Sequence, residues 1–246
     1  MRNRLSLIAL ALLSCAAAPL AALAAPPTSA AVGDADSFGN KVVWIGVAST
    51  GGVTLASSCA PDPANPLGPD DRCVVLNAGG APTSFTFPDL GRITLPGNST
   101  NSLICHSATT IGSYSFSNTT AGSVFARFRA RPLYRFESEV LRDPSLINRE
   151  TGLPFGGGID TGLTGPRDFQ TLAAGAQQTH NLFATRNCIG GLLTKASLVE
   201  FYGLTEAQAK KVFDKPITIR VGMTGEAAWV SDATILIGTR FTGDDK

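Results

Sequence analysis

Apolar and polar residues alternate with a period of two through most of this chain, and that alternation predicts β-strands. The clearest stretch runs over 124–140. Val124, Ala126, Phe128, Ala130, Pro132, Tyr134, Phe136, Ser138 and Val140 fall on one side; Phe125, Arg127, Arg129, Arg131, Leu133, Arg135, Glu137 and Glu139 fall on the other. Side chains of a strand point alternately to its two faces, so the first set is assigned to a core and the second to solvent. Pro132 has no N–H to donate to a neighbouring strand, which predicts an edge, a bulge or a break between two strands. Shorter strand patterns cover 41–47, 53–57, 73–76, 84–87, 92–95, 103–107 and 111–116, set off by Gly, Pro or Asn. Two closing strands follow from Ile217, Ile219, Val221 and Met223, and from Ala233, Ile235, Ile237, Thr239 and Phe241.

Helical spacing occurs only near the C-terminus. Thr194 is placed to cap a first helix that ends at Gly203, and Thr205 with Gln208 forms a capping box for a second, ended by Pro216. The stretch 148–166 carries six glycines and no strand pattern, and predicts a long loop. The expected architecture is mainly β: an antiparallel β-sandwich-like domain over 41–246, with a helical pair at 194–214 inserted near the C-terminus.

The first residues add a compartment. Met1-Arg2-Asn3-Arg4 is basic, 5–13 is almost wholly apolar, and Ala22-Leu23-Ala24 is an A-x-A cleavage site. That is the layout of a secretory signal peptide over 1–25, too short for a spanning helix. A flexible segment at 26–40 follows, and the mature chain is expected in the periplasm or outside the cell. Leu12-Leu13-Ser14-Cys15 also passes as a lipobox, so the alternative is a lipoprotein anchored through Cys15. Beyond the leader stand Cys59, Cys73, Cys105 and Cys188. An even count in an oxidising compartment predicts two disulfides, with Cys59–Cys73 and Cys105–Cys188 the expected pairing.

Composition narrows the partners. Only 16% of residues are charged and the net charge is +1, so no global field recruits nucleic acid or an anionic membrane. The sequence 198–213 resembles a helix-turn-helix in outline, but it lacks a third helix and a basic surface, and no nucleic-acid partner is expected. There is no C-x-x-C and the only histidines are His106 and His180, so neither a metal centre nor a cofactor is expected. Asp62, Asn65, Asp70 and Asp71 are calcium-compatible oxygens without EF-hand spacing and are read as turn residues.

Two patterns carry candidate chemistry. Arg127, Arg129, Arg131 and Arg135 project from one face of a predicted strand at intervals of about 7 Å, a row suited to bidentate contacts with carboxylate or phosphate groups of an acidic glycan. Asp160-Thr161-Gly162, with Ile235-Leu236-Ile237-Gly238 downstream, resembles the paired elements of retropepsin-like proteases. That resemblance covers these few residues and implies an acid hydrolase using Asp160 in a homodimer, since two such aspartates must share a proton. The flanks differ from the family pattern, with Gly156-Gly157-Gly158-Ile159 leading in and Leu163 following. No G-x-S-x-G is present, and neither histidine has an acidic neighbour in sequence. The leading expectation is therefore an exported, disulfide-stabilised, non-catalytic binding or structural module of surface-assembly or adhesin-like type. Its expected partners are acidic glycan, other envelope or extracellular proteins, or further copies of itself.

Overall fold

The computed structural model describes residues 52–59, 72–188 and 191–243. The leader with Cys15, the segment 26–40, the strand expected at 41–47 and the four oxygen-bearing residues Asp62, Asn65, Asp70 and Asp71 lie outside them. The described strands are β1 (Gly52–Ala56), β2 (Arg72–Val75), β3 (Thr83–Leu95), β4 (Leu103–Ser117), β5 (Val124–Glu137), β6 (Gly158–Gly162), β7 (Arg167–Leu172), β8 (Gln177–Asn187), β9 (Leu193–Thr194), β10 (Ile217–Ala228) and β11 (Val230–Gly243). Two helices, α1 (Lys195–Glu200) and α2 (Glu206–Asp214), stand between β9 and β10.

These strands form two sheets. One runs β2-β1-β11-β4-β8 with β9 also on β4; the other runs β3-β10-β5-β6 with β7 also on β5. All pairs are antiparallel except β1 with β2. The inward set read from 124–140 is the buried one: Ala126, Phe128, Ala130, Tyr134 and Phe136 join Phe116, Ile235, Ile237 and Phe241 of the opposite sheet in one core. The Tyr134 and Thr239 hydroxyls meet at 3.1 Å across that core, so the one polar atom of a buried tyrosine is satisfied. The architecture is a β-sandwich, as the alternation predicts.

Several boundaries differ from the sequence reading. The patterns at 84–87 and 92–95 are one strand, β3, and those at 103–107 and 111–116 are one strand, β4. Small residues hide that continuity: β4 buries Ala108 and Thr110 between its larger core residues, and a Cβ on Gly112 would lie 2.0 Å from the Thr234 carbonyl of β11. The loop expected over 148–166 contains β6, so Asp160-Thr161-Gly162 within it is strand. β7 and β8 had no clear pattern because β8 is an edge strand with most of its residues exposed. Both predicted caps form: Thr205 with Gln208 makes the expected capping box, and Thr194 makes one with Ser197 as well. Leu198, Ala209, Val212 and Phe213 of the helices are buried in the common core. Both disulfides pair as expected, Cys59 with Cys73 and Cys105 with Cys188. Such bonds belong to an oxidising extracellular or periplasmic environment. Among the described residues no helix is long and apolar enough to cross a membrane.

Pro132 does not break its strand, as one of the predicted forms had it; it sits at a locally open edge of β5. It lies inside a continuous β5, but on the side where β7 pairs with 124–129 and β6 pairs with 133–137. Alternate residues of a strand direct their hydrogen-bonding groups to the same neighbour. Ala130 N–H donates to Pro166 O at 3.1 Å, and Leu163 N–H donates to Pro132 O at 3.1 Å, both on that side. The missing proline donor therefore falls where β6 ends and β7 has not begun. The break between them opens the concavity described next.

Candidate functional site

The segment joining β6 to β7 crosses β5 where Pro132 leaves it unpaired. Gly165 sits so close to β5 that a Cβ there would lie 1.8 Å from the Ala130 carbonyl. Around this crossing is a cleft of about 490 Å³ whose walls include Arg129 and Arg131 of β5, Arg167 of β7 and Arg186 of β8. Arg186 arrives from the opposite sheet; its Nε and Nη1 donate to the carbonyls of Thr164 and Thr185 at 3.3 and 3.2 Å. Four guanidinium groups thus converge on one concavity from three strands.

The predicted row divides according to its partners. Arg127 and Arg129 both pair with Glu226 of β10, whose side chain is only 15% exposed. Arg135 pairs with Asp160 at 2.7 Å and with Glu137 at 3.4 Å. Glu137 in turn accepts from Arg220, which also reaches Asp89, and Asp89 binds Arg92. The Arg220 hydrogen bond is the main reason that the Glu137 carboxyl is held below the usual range. Burial would raise Asp89, but Arg92 and Arg220 together outweigh it and lower that group too. That end of the row is an internally neutralised network. Arg131 and Arg167 have no carboxylate partner among the described residues. Arg129 and Arg167 are moreover directly opposite each other across β5 and β7. Like charges in that position destabilise a strand pair unless an anion lies between them.

An aromatic surface adjoins these arginines. Phe125 and Phe169 are exposed and stack with ring centroids 6.3 Å apart and planes 2° from parallel. Phe169 is opposite Arg127 in the register, and Arg167 and Phe169 fall on the same side of β7. Neither Phe169 nor Arg167 and Arg186 was singled out in the sequence. The exposed alternation of Arg167, Phe169 and Thr171 was the available signal, but the glycines and prolines just before it obscured the strand.

Behind this surface a polar cluster fixes β7. Tyr114 Oη donates to Asp168 Oδ2 at 2.7 Å, and His180 Nδ1 lies 3.4 Å from the same oxygen. His180 Nε2 contacts the Gln170 amide at 3.3 Å, and its ring stacks on Tyr114. Burial first, and the Asp168 bond second, raise the Tyr114 pKa, so the phenol stays protonated and donates. The cluster joins β4 and β8 of one sheet to β7 of the other, and holds the residues on either side of Arg167 and Phe169. Both His180 nitrogens are engaged, and among the described residues no hydroxyl or thiol nucleophile bonds to either.

Asp160 projects from β6 with its side chain 73% exposed, and its charged partner is Arg135 rather than a second carboxylate. Ile235-Leu236-Ile237-Gly238 lies on β11 of the other sheet, so the fold does not bring the two elements of the protease resemblance together in one strand pair. Among the described residues no cluster of three His, Cys, Asp or Glu side chains is arranged to hold a metal.

His106 is in the core beside Tyr134, and neither ring nitrogen has a hydrogen-bond partner among the described residues, where Arg127 Nε and Ser138 Oγ are also buried without one. Desolvation lowers its pKa, so the folded protein keeps it neutral. Below about pH 6.5 the unfolded chain takes up a proton that the folded chain does not. Stability therefore falls as the pH drops from there and levels off below the folded-state pKa. His106→Phe is expected to remove this slope, and to raise stability at pH 7.5 by about 1 kcal/mol because two unsatisfied polar atoms disappear. Thermal melts of both proteins between pH 7.5 and 5 check it, parallel slopes being the contrary result.

No family model matches the chain, and no curated protein matches it. Among solved structures, a chain from the infectious bursal disease virus Gx strain is 11% identical, with 74% of this chain and 42% of that chain covered and a TM-score of 0.17. A chain from the T13 particle of the same virus is 12% identical, with 76% and 41% covered and a TM-score of 0.15. The chain spans about two fifths of the length of these structures. Likenesses of this size carry no functional argument.

Proposed function

We propose that this protein is an exported, non-catalytic binding module, stabilised by its two disulfides, that holds an acidic glycan on the outer face of its five-stranded sheet. The observation that carries the reading is the cleft in which Arg129, Arg131, Arg167 and Arg186 converge, with Arg131 and Arg167 lacking carboxylate partners among the described residues. Guanidinium groups bind carboxylates bidentately and are weakly hydrated, so they give up water for such partners readily. The exposed, parallel Phe125 and Phe169 rings favour a sugar over a bare anion, because the C–H face of a pyranose covers an aromatic ring without stranding a polar group. The leader read at 1–25 and the disulfides support an address in the periplasm or outside the cell, with anchorage through Cys15 as the variant of that address. A surface-assembly or adhesin-like setting agrees with both.

The test is a comparison of variants on immobilised polygalacturonate. Arg131→Ser with Arg167→Ser is expected to weaken binding on the order of tenfold or more, the loss of a charged hydrogen-bonding partner. Phe169→Ala weakens it less, and Arg92→Ser, in the neutralised network, leaves it unchanged. Equal losses for Arg92→Ser and the Arg131/Arg167 pair would refute a defined site.

A further inference from the structure

The cleft at the Pro132 break carries more positive charge than one carboxylate can answer. Its walls hold Arg129, Arg131, Arg167 and Arg186, and among the described residues no Asp or Glu side chain lines it. Arg129 shares the single carboxylate of Glu226 with Arg127, so even that trio keeps a net positive charge. Arg131, Arg167 and Arg186 have no carboxylate partner among the described residues. The Arg186 fork is also set in advance. Its Nε and Nη1 donate to the Thr164 and Thr185 carbonyls, which orients the group and leaves its charge unpaired. The volume of about 490 Å³ is that of a small-ligand site.

Geometry selects the anion. A carboxylate has one charge and two oxygens, and meets one guanidinium side-on. The carboxylates of a uronan are spaced along the polymer axis, whereas these cations surround one concavity, so a uronan answers them one at a time. A phosphate monoester presents three terminal oxygens and nearly two negative charges from a single point. It accepts from three guanidinium groups at once, contacts to which the planar arginine fork is suited. It also relieves the opposition of Arg129 and Arg167 across β5 and β7. A sulfate ester offers the same oxygens with half the charge, and compensates these cations less.

We infer that the cleft is a phosphate subsite, and that its ligand is a saccharide bearing a terminal phosphate monoester, with uncharged sugars running over Phe169 and Phe125. The inference rests on the glycan reading and narrows its ligand class. Arg167 and Phe169 are two residues apart on the same side of β7, about 7 Å along the strand. A pyranose esterified to a phosphate on Arg167 therefore lies over the Phe169 ring. Phe125, parallel to that ring at 6.3 Å between centroids, extends the apolar surface for the next sugar.

Calorimetric titration of the mature protein with maltotetraose, maltotetraose carrying one terminal phosphate, the same compound carrying a sulfate, and tetragalacturonate tests it. The phosphorylated compound is expected to bind tighter than the sulfate ester and tetragalacturonate by on the order of tenfold or more, although tetragalacturonate carries about twice its charge. Arg131→Gln, Arg167→Gln and Arg186→Gln replace exposed side chains and leave the fold intact. Each is expected to weaken phosphate binding by on the order of tenfold, and Arg92→Gln leaves it unchanged. Tetragalacturonate or the sulfate ester bound as tightly as the phosphate overturns the phosphate subsite and leaves the acidic-glycan reading standing. Phosphate binding indifferent to the three cleft variants does the same. Binding of none of the four compounds, or equal binding of neutral maltotetraose, overturns both.

Discussion

Replacing Cys105 and Cys188 together by alanine is expected to lower the free energy of unfolding by about 4.5 kcal/mol, against about 3 kcal/mol for Cys59 with Cys73. The difference comes from the loops they close, 83 residues apart in one case and 14 in the other. A longer closed loop removes more conformations from the unfolded chain. The first bond also joins β4, which lies between β11 and β8 in its sheet, to the residue that follows β8, so its loss frees one end of the β8 edge. Urea unfolding of the oxidised variants, with their midpoints converted by a common m-value, measures both effects. A Cys59/Cys73 variant as weak as the Cys105/Cys188 variant would contradict the ordering.

The second large effect is expected at Phe128, fully buried and stacked on Tyr114 with ring centroids 4.3 Å apart. Phe128→Ala removes a core ring and leaves a cavity, a change that costs about 3–5 kcal/mol. Its consequences reach the binding face. Phe128 is opposite Asp168 in the β5–β7 register, and Asp168 is the acceptor of the Tyr114 hydroxyl. Loosening this contact releases the neighbours of Arg129 and Arg167. The variant is therefore expected to lose glycan affinity at temperatures where it is still folded, whereas a core change remote from β7, such as Leu55→Ala in β1, lowers stability with affinity intact. Unaltered affinity in folded Phe128→Ala would show that the cluster behind β7 does not position the site.

The sandwich was legible because its inward residues are large and regularly spaced. Val124 to Phe136 assigns each face of β5 correctly, and the capping boxes of Thr194 and Thr205 locate both helices. The strands that escaped had physical reasons. β6 is rich in glycine, β8 is exposed on both faces at its ends, and the midpoint of β4 consists of Ala, Thr and Gly. The outward projection of Arg127, Arg129, Arg131 and Arg135 was legible too, but their inequality was not. Glu226 lies about a hundred residues away in sequence and is shared by two of them; Asp160 and Glu137 pair with a third. The cleft itself depends on Pro132 parting β6 from β7 and on Arg186 crossing from the other sheet, relations that no local pattern encodes.

The most direct test of the central claim is the affinity of the mature protein for polygalacturonate, and for a neutral polysaccharide of similar size, as salt is raised. Arginines in an open cleft predict binding to the acidic polymer alone, weakening steadily as the Debye length shrinks from about 30 Å at 0.01 M to about 8 Å at 0.15 M. No binding at the lowest salt, or equal binding to the neutral polymer, would contradict it.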